Sequence, residues 1–353
     1  KKKKLLLYFI RNPVLRNNLF SILNTGCHTI IKLKLVEREE MLRQMKCVDV
    51  FHALHKCTYP GCLGQASTAW VISPLAYNFL QSLTRSDVKD DKYVKINEAL
   101  KAKSVYRSMT AAFYAPSINL EEKLKKSKSK NMNMKQVDFS KEQAGDIISE
   151  WANQQDDFKT FNIEKSIPAD ILYAVVDMSN FQGAWEKKSS KGRFMKIHNS
   201  FNYTQDINYE ARIMELPTQD SDFRVIVLAP SQTDLLHTLF RRLTNEGLAA
   251  SFASVQPLFS VDSVFTPPDI AITSHTNMSS KERDKSESRI VQYGTTEINN
   301  LGVRAKVLSC LYSTKKLPPY SGNFKPEEEK APYFFAITFK DTPIFTGQYI
   351  PKL

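Results

Sequence analysis

The chain has no long apolar run and no recognisable catalytic motif. No window approaches the roughly 20 apolar residues that a membrane-spanning helix needs, so we expect no membrane span. No Ser-His-Asp set, phosphate-binding loop or paired-carboxylate motif stands out among the 353 residues, and no internal repeat is visible. An enzyme is therefore the least favoured class, and we expect no cofactor.

Cysteine is also scarce, since the chain has only five. They are scattered and odd in number, so the fold is not expected to depend on disulfide bridges. Three of them, Cys47, Cys57 and Cys62, form a compact group with His52 and His55, whereas Cys27 and Cys310 lie apart. The spacings in that group match no standard zinc pattern. Ordinary packing is the favoured interpretation and metal binding the alternative.

Positive charge is in excess. The formal net charge is +12 and the pI is about 9.3, which favours long-range attraction to polyanions. On a helix, Lys123, Lys126 and Lys130 would share one face and could bind a heparin-like polyanion, although a solvated lysine face is the alternative. Because no nucleic-acid motif accompanies the charge, we expect no nucleic acid partner.

The N-terminal region differs from the rest of the chain. Lys1 to Lys4 precede the short apolar run L-L-L-Y-F-I, which resembles a signal peptide but is too short and lacks a small-residue cleavage site. A leader, a membrane-surface segment or an artefact would each fit. We predict a poorly defined segment over residues 1–45 and a single domain over 46–353. Sequons at Asn202 and Asn277 are compatible with a secreted glycoprotein.

Helical patterns dominate the first half of the chain and strand patterns the second. Trp70 to Leu83 is typical of a strand followed by a helix, with Ser73 placed to cap it and Pro74 in its first turn. Lys141 to Gln155 is amphipathic and predicts another helix. Ala169 to Phe181 is nearly all apolar, as strands buried on both faces of a large sheet are. Several more strands and hairpins follow, whereas Ser274 to Ser288 is polar and predicted as loop. These patterns predict an α+β protein with large, mostly antiparallel sheets.

The segment from Gln292 to Tyr320 begins as a strand and continues, from Gly302, as a long stretch of mixed polarity. Long loops without structure of their own are usually functional or disordered. Because this one carries Lys315 and Lys316, we interpret it as protease bait held out from a scaffold.

Several short motifs, taken in order, resemble the serpin family of serine protease inhibitors. The motif positions are Ser73 and Pro74 in S-P-L, then Phe181, Gly183 and Trp185 in F-x-G-x-W, and finally Phe345, Gly347 and Pro351 in the closing F-x-G-x-x-x-P. V-D-F at 137–139 and a following Trp151 also agree. The resemblance runs from about Val71 to the end and implies the serpin fold with an exposed reactive loop at about 302–322.

The resemblance implies a mechanical function. In the family, cleavage of the loop lets it insert into the main sheet and trap the protease. The corresponding hinge is Gly302, Val303, Arg304 and Ala305, in which only Gly302 and Ala305 match fully. A two-residue period would turn Val303, Ala305, Val307 and Ser309 inward, and Arg304, Lys306 and Leu308 outward. Cys310 is expected to be a neutral, exposed thiol, and Asp177 replaces a family asparagine.

The family spacing places the reactive bond at Lys316–Leu317, with Lys315–Lys316 as the alternative. A lysine before the bond suits a trypsin-like protease with an acidic specificity pocket, or a cysteine protease that prefers basic residues. We therefore predict a secreted, monomeric suicide inhibitor rather than a catalyst. The alternative is a non-inhibitory serpin-fold binding, carrier or structural protein, since Val303 crowds the hinge.

Overall fold

Most of the described chain lies in two large sheets. The computed structural model describes residues 69–84, 92–120, 124, 132–141, 143–155, 167–168, 171–186, 195–197, 202–206, 211–230, 256–257, 263–265, 270–278, 288–299, 301–314, 333–340 and 342–349. The predicted boundary between residues 45 and 46 lies outside these ranges.

Three helices are described. They are α1 (Pro74–Thr84), α2 (Lys92–Lys101) and α3 (Ala144–Asn153). Ser73 caps α1 as predicted, because its Oγ accepts a hydrogen bond of 3.1 Å from the Ala76 amide. Pro74 occupies the first helical position, where a missing amide hydrogen costs nothing.

The strands comprise three early ones and a longer series that follows α3. They are β1 (Trp70–Ile72), β2 (Tyr106–Tyr114), β3 (Asn133–Gln136), β4 (Ile171–Ala184), β5 (Met195–Ile197), β6 (Asn202–Asp206), β7 (Ala211–Pro217), β8 (Phe223–Pro230), β9 (Gln256–Pro257), β10 (Ser263–Phe265), β11 (Ile270–Met278), β12 (Ser288–Asn299), β13 (Gly302–Thr314), β14 (Tyr333–Phe339) and β15 (Thr342–Tyr349).

Among the described residues these strands form three sheets. A seven-stranded sheet has the order β1-β15-β14-β8-β7-β6-β9, a six-stranded sheet has the order β11-β12-β13-β4-β2-β3, and β10 pairs with β5. All pairings except the parallel β2–β3 pair are antiparallel. The predicted α+β class and mostly antiparallel sheets are confirmed.

A core of large side chains fills the space between the two large sheets. It joins Val71 of β1 and Leu75 of α1 to residues of both sheets, among them Phe181, Phe223 and Phe345. A second core lies on the other face of the six-stranded sheet, under α3. Ile147, Ile148 and Trp151 of that helix are buried there, as their spacing predicted.

Two sequence-based assignments differ from the structure. The region predicted as loop from Ser274 overlaps β11, which ends at Met278 and forms one edge of the described sheet. The larger difference is at Gly302. Residues 302–314, expected to begin an exposed loop, form the long central strand β13 instead.

Candidate functional site

Strand β13 lies in the middle of the six-stranded sheet. It pairs with β12 along one side, from Asn299↔Gly302 to Ser288↔Ser313, and with β4 along the other, from Gly302↔Ala184 to Thr314↔Ile171. Its backbone is therefore hydrogen-bonded on both sides, which satisfies the polar groups that a buried segment must pair. The segment interpreted as bait from Gly302 onward is, up to Thr314, part of the sheet in this conformation.

The two faces of β13 differ in burial near its start. Val303, Ala305 and Val307 lie in the core between the sheets and are at most 2% exposed. Arg304 is exposed on the other face and its Nη1 lies 3.6 Å from Oε2 of Glu297, its partner across the β12–β13 pair. This arrangement agrees with the two-residue alternation of the sequence, and it accommodates the valine at position 303.

Farther along, the outer face of β13 is covered as well. Leu308, Cys310 and Tyr312 belong to the buried cluster that contains Trp151 of α3. Cys310 is fully buried, so the expectation of an exposed thiol is wrong for this conformation. Burial raises the pKa of the Cys310 thiol well above its ordinary value, because no water stabilises the thiolate.

The turn between β12 and β13 is tight and is held by side chains. The Asn299 Oδ1 atom accepts hydrogen bonds from the amides of Leu301 (2.9 Å) and Gly302 (3.3 Å), and the Asn299 carbonyl accepts one of 2.8 Å from Nε1 of Trp185. A Cβ atom at Gly302 would overlap with the carbonyl oxygen of Gly183. Glycine is therefore required at Gly302 because the backbones of β13 and β4 approach closely.

A row of buried polar residues crosses the sheet where β13 passes through its centre. Register places Thr110 of β2 opposite Asp177 of β4, Asp177 opposite Ser309, Ser309 opposite Gln292 of β12, and Gln292 opposite Thr276 of β11. All five are buried. We call this set the polar row. One of its members, Ser309, belongs to β13.

Gln292 ties the polar row to the start of α1. Its Oε1 accepts a hydrogen bond of 2.9 Å from the Ser73 amide, and its Nε2 donates to the Ser73 carbonyl and to Oγ of Ser309, each at 2.9 Å. The Ser73 hydroxyl in turn donates to the Ile344 carbonyl at 2.8 Å. The side chain of Gln292 thus holds β13 and the N-terminus of α1 together.

Asp177 is a carboxyl group inside the sheet. It is 2% exposed, and its Oδ1 accepts a hydrogen bond of 2.9 Å from Oγ1 of Thr110. Burial raises its pKa to about 7, although the Thr110 hydrogen bond and the positive charge of Lys101 act in the opposite direction. The carboxyl therefore changes its charge near neutral pH.

No protein-family model matches the chain. Serpin B3 and Serpin B4 of Homo sapiens are each 27% identical to it over 137 residues, which cover 33% of this chain and 35% of each relative. The alignment thus spans about a third of the curated relatives' length.

The fold matches solved structures over nearly their whole length. A structure of cleaved Serpin 42Da has a TM-score of 0.65 at 16% identity and covers 89% of this chain and 98% of that one. A loop-inserted structure of a cleaved ovalbumin mutant has a TM-score of 0.61 at 15% identity, covering 86% and 97%. The chain has the serpin fold.

The serpin motif positions that are described have structural roles in this chain. Phe181 packs on Phe223 with ring centroids 4.8 Å apart, and Trp185 is fully buried. A Cβ at Gly183 would come within 2.6 Å of the Phe181 ring, and one at Gly347 would come within 2.6 Å of the Trp70 carbonyl oxygen. Phe345 is fully buried between the sheets.

Other residues singled out from the sequence lie outside the described residues. They are the reactive-site residues Lys315, Lys316 and Leu317, the polyanion candidates Lys123, Lys126 and Lys130, the motif residue Pro351, and the group Cys47, His52, His55, Cys57 and Cys62. The two sequon residues are described, and both Asn202 (β6) and Asn277 (β11) lie in strands rather than loops.

Within the described ranges, no helix is long and apolar enough to cross a membrane. The same ranges contain no cluster of three or more histidine, cysteine or acidic residues that could bind a metal ion.

Gln292 and its link to Ser309 were missed by sequence reasoning. Gln292 is one polar residue in an otherwise ordinary strand pattern, and its partners lie 219 and 17 residues away along the chain. The two-residue alternation of the strand could have indicated its role. It places Gln292 on the same strand face as Ile290 and Gly294, and a side-chain amide on a core-facing position needs buried hydrogen-bond partners.

Proposed function

We propose that this chain is a serpin-type suicide inhibitor of a trypsin-like serine protease, cleaved at Lys316–Leu317 or, alternatively, at Lys315–Lys316. The observation that carries the proposal is β13, which is already seated between β4 and β12. Relatives of the family are generally inhibitors rather than catalysts, and we assign no catalytic residue to this chain.

The chemistry is supplied by the protease and the mechanics by the serpin. The protease nucleophile attacks the carbonyl carbon of Lys316, the bond to the Leu317 nitrogen breaks, and an acyl-enzyme forms. The segment before Lys316, now free of the chain after it, enters the sheet as β13 and carries the bound protease with it.

Insertion is favoured because β13 gains partners on every side. It pairs its backbone with two strands and buries Val303, Ala305 and Val307 in the core between the sheets. A fully buried valine side chain contributes roughly 1.5–3 kcal/mol. Val303 and Arg304 differ from the hinge residues of the family, but neither opposes insertion. Val303 is buried while its strand stays paired with β4, and Arg304 remains exposed.

The specificity assignment rests on lysine at the reactive bond. A lysine side chain fits a specificity pocket with a carboxylate at its base, as trypsin-like enzymes have. A cysteine protease that prefers basic residues would be a second target class. Incubation with trypsin should give a complex that survives SDS and heat, and the Lys315→Ala, Lys316→Ala double variant should give none.

The mechanical step has its own matched pair of variants. Ala305→Glu places a charge at a fully buried position of β13 and should convert the protein to a substrate that trypsin cleaves without complex formation. Lys306→Glu introduces the same side chain at the neighbouring, partly exposed position and should leave the complex intact. Clean cleavage of the unaltered protein at every ratio would make it a non-inhibitory serpin-fold binding, carrier or structural protein.

Three further proposals concern its surroundings. We infer secretion as a monomer, with glycosylation at Asn202 and Asn277 tested by enzymatic deglycosylation and mass measurement. A heparin-like polyanion would bind at Lys123, Lys126 and Lys130, and its retention on a heparin column should weaken as salt rises. Retention that is independent of salt would contradict such a site.

A further inference from the structure

Asp177 is the one ionisable side chain of the polar row, and the strand beside it, β13, is the one that the proposed function inserts into the sheet. Asp177 sits between Thr110 on β2 and Ser309 on β13. When β13 is in the sheet, Asp177 has a hydrogen-bonded neighbour strand on both sides and is 2% exposed. We propose that Asp177 makes the insertion of β13 dependent on pH, with the protonated carboxyl favouring the inserted strand. This rests on the proposed function in one respect, namely that β13 can leave the sheet.

The neighbours of Asp177 offer hydroxyl groups rather than a counter-ion. Thr110 donates to the carboxyl, while the Ser309 hydroxyl accepts from Gln292. No cation among the described residues makes an ion pair with Asp177. A carboxylate in this position is therefore buried with little compensation, which is unfavourable, whereas a neutral carboxyl is tolerated.

The titratable groups around Asp177 do not alter this conclusion. On its own side of the sheet, Tyr106 of β2 interacts with it and stays neutral, since burial keeps the Tyr106 pKa far above its ordinary value. Lys101 at the end of α2 attracts the carboxylate from a distance. Helix α1 has no charged residue, and the inner faces of β12 and β13 present Gln292 and Ser309. Arg304 and Lys306 of β13 and His275 of β11 lie on the opposite face by strand parity.

The direction of the effect follows from the raised pKa. In the inserted state the Asp177 pKa is about 7, against an ordinary value of 3.8. When β13 withdraws, the side of Asp177 that faced Ser309 meets water or, if β12 closes on β4, the Gln292 amide, which has lost Ser309 and has an N–H to donate. Either neighbour stabilises the carboxylate, so the Asp177 pKa falls toward the ordinary value. The inserted state is therefore most favoured at acid pH and loses stability as pH rises through about 7. Between about pH 5.5 and about pH 8 the insertion equilibrium should weaken by up to roughly 30-fold.

Cys310 provides the measurement, because it lies on β13 and is fully buried only while that strand is inserted. In the full-length chain with Cys27, Cys47, Cys57 and Cys62 replaced by serine, a thiol reagent should label Cys310 only when β13 withdraws. Asp177→Asn is the matched variant, since its amide can still accept the Thr110 hydrogen bond but does not titrate. The thiol chemistry is the same in both proteins, so the ratio of their labelling rates isolates Asp177.

The expected result is a ratio, unaltered protein over Asp177→Asn, that rises by up to about 30-fold between about pH 5.5 and about pH 8. A ratio that changes by less than about two-fold over that range overturns the inference, as does failure of the reagent to label Cys310 at any pH. A flat ratio together with a stable protease complex would overturn this inference and leave the proposed function standing, whereas a protein that never labels at Cys310 would count against both.

Thr110→Val is a second variant in case Asp177→Asn does not fold. It removes the hydrogen bond that lowers the Asp177 pKa, so the midpoint of the pH response should move to higher pH. An unchanged midpoint would count against Asp177 as the titrating group. His275→Gln is the control, because His275 also titrates, with a pKa lowered by burial, but lies on the opposite face of the sheet. Replacing it should leave the midpoint of the pH response unchanged.

Discussion

The contact between Gly302 and Gly183 offers a direct way to penalise the inserted state alone. A Cβ atom at Gly302 would overlap with the Gly183 carbonyl oxygen and lie 3.0 Å from the Ala184 Cα. Unstrained contacts between carbon atoms are about 3.5–4.0 Å, so β13 and β4 would have to separate locally by about 1 Å. Gly302→Ala therefore strains a pairing that exists only while β13 is in the sheet.

The magnitude combines two effects. Overpacking in a closely packed region costs about 1–3 kcal/mol, and weakening a backbone hydrogen bond at the strand end adds about 1 kcal/mol. We expect Gly302→Ala to lower the stability of the cleaved, inserted protein by about 2–4 kcal/mol. For a domain of this size that is roughly a 3–6 °C fall in Tm. The assay is a thermal scan of intact and trypsin-cleaved protein side by side.

Gly294→Ala is the matched control. A Cβ at Gly294 would come within 2.5 Å of the Val71 carbonyl oxygen, a contact between β12 and β1 that does not involve β13. It should lower the Tm of intact and cleaved protein alike. The intact protein with its loop withdrawn gives the comparison. If Gly302→Ala lowers the Tm of the cleaved form by no more than it lowers the Tm of that intact form, the argument from close backbone approach at Gly302 is refuted.

Two further substitutions test the buried hydrogen bonds. Gln292→Leu removes the hydrogen bonds to Ser73 and Ser309 and leaves the Ser73 amide without its acceptor. Denaturant unfolding should show a fall of about 2–4 kcal/mol in the free energy of unfolding. A fall below about 0.5 kcal/mol would contradict the role of the Gln292 side chain. Trp185→Phe keeps an aromatic ring but removes the hydrogen bond to the Asn299 carbonyl. In the same assay we expect the free energy of unfolding to fall by about 1–2 kcal/mol. An unchanged unfolding midpoint would argue against a stabilising role for this hydrogen bond.

The parts of the fold that sequence predicted well are those with strong local signals. The apolar run from Ala169 to Phe181 overlaps β4 from Ile171 onward, and most side chains of that shared stretch are apolar. The Ser73–Pro74 pair marked the start of α1 because capping is a local interaction. In both cases the information lies within a few residues of the element itself.

Other elements were missed because their signals are weak or non-local. Helix α2 has a modest apolar face of Tyr93, Ile96 and Leu100 among lysines, so its local signal is weak. Strand β11 contains Thr273, Ser274 and Thr276, polar residues that are typical of loops as well as strands. Ser274 is acceptable in a strand because it exchanges hydrogen bonds with the Val71 backbone, which lies 203 residues away along the chain.

The sequence predicts the alternating faces of β13 but not its insertion between β4 and β12. The alternation of small apolar and charged residues after Gly302 indicates a strand face, but the same residues would be stable as a solvated loop in a chain whose sheet was closed. Local propensity cannot decide between these states, since the deciding interactions come from other strands. The paired residues of β4 lie more than 100 residues away along the chain, and those of β12 lie 3 to 25 residues away. Two conformations of one segment are what a loop-insertion mechanism requires.

The outer face of β13 argues that its sequence fits the inserted state along its whole length. Beyond Lys306, the outward positions change from charged to apolar, and this change coincides with the cover that α3 provides over Leu308, Cys310 and Tyr312. An exposed loop gains nothing from three apolar side chains at alternate positions, and it risks aggregation by presenting them. Beneath α3 the same side chains complete a core. The inner face meets a different requirement at the same depth, where Ser309 joins the polar row through Gln292. A shift of β13 by two residues would place Val307 or Leu311 beside Asp177 and leave the Gln292 amide without its hydroxyl partner. The register of insertion is thus specified on both faces, by apolar cover on one and by a hydrogen bond on the other.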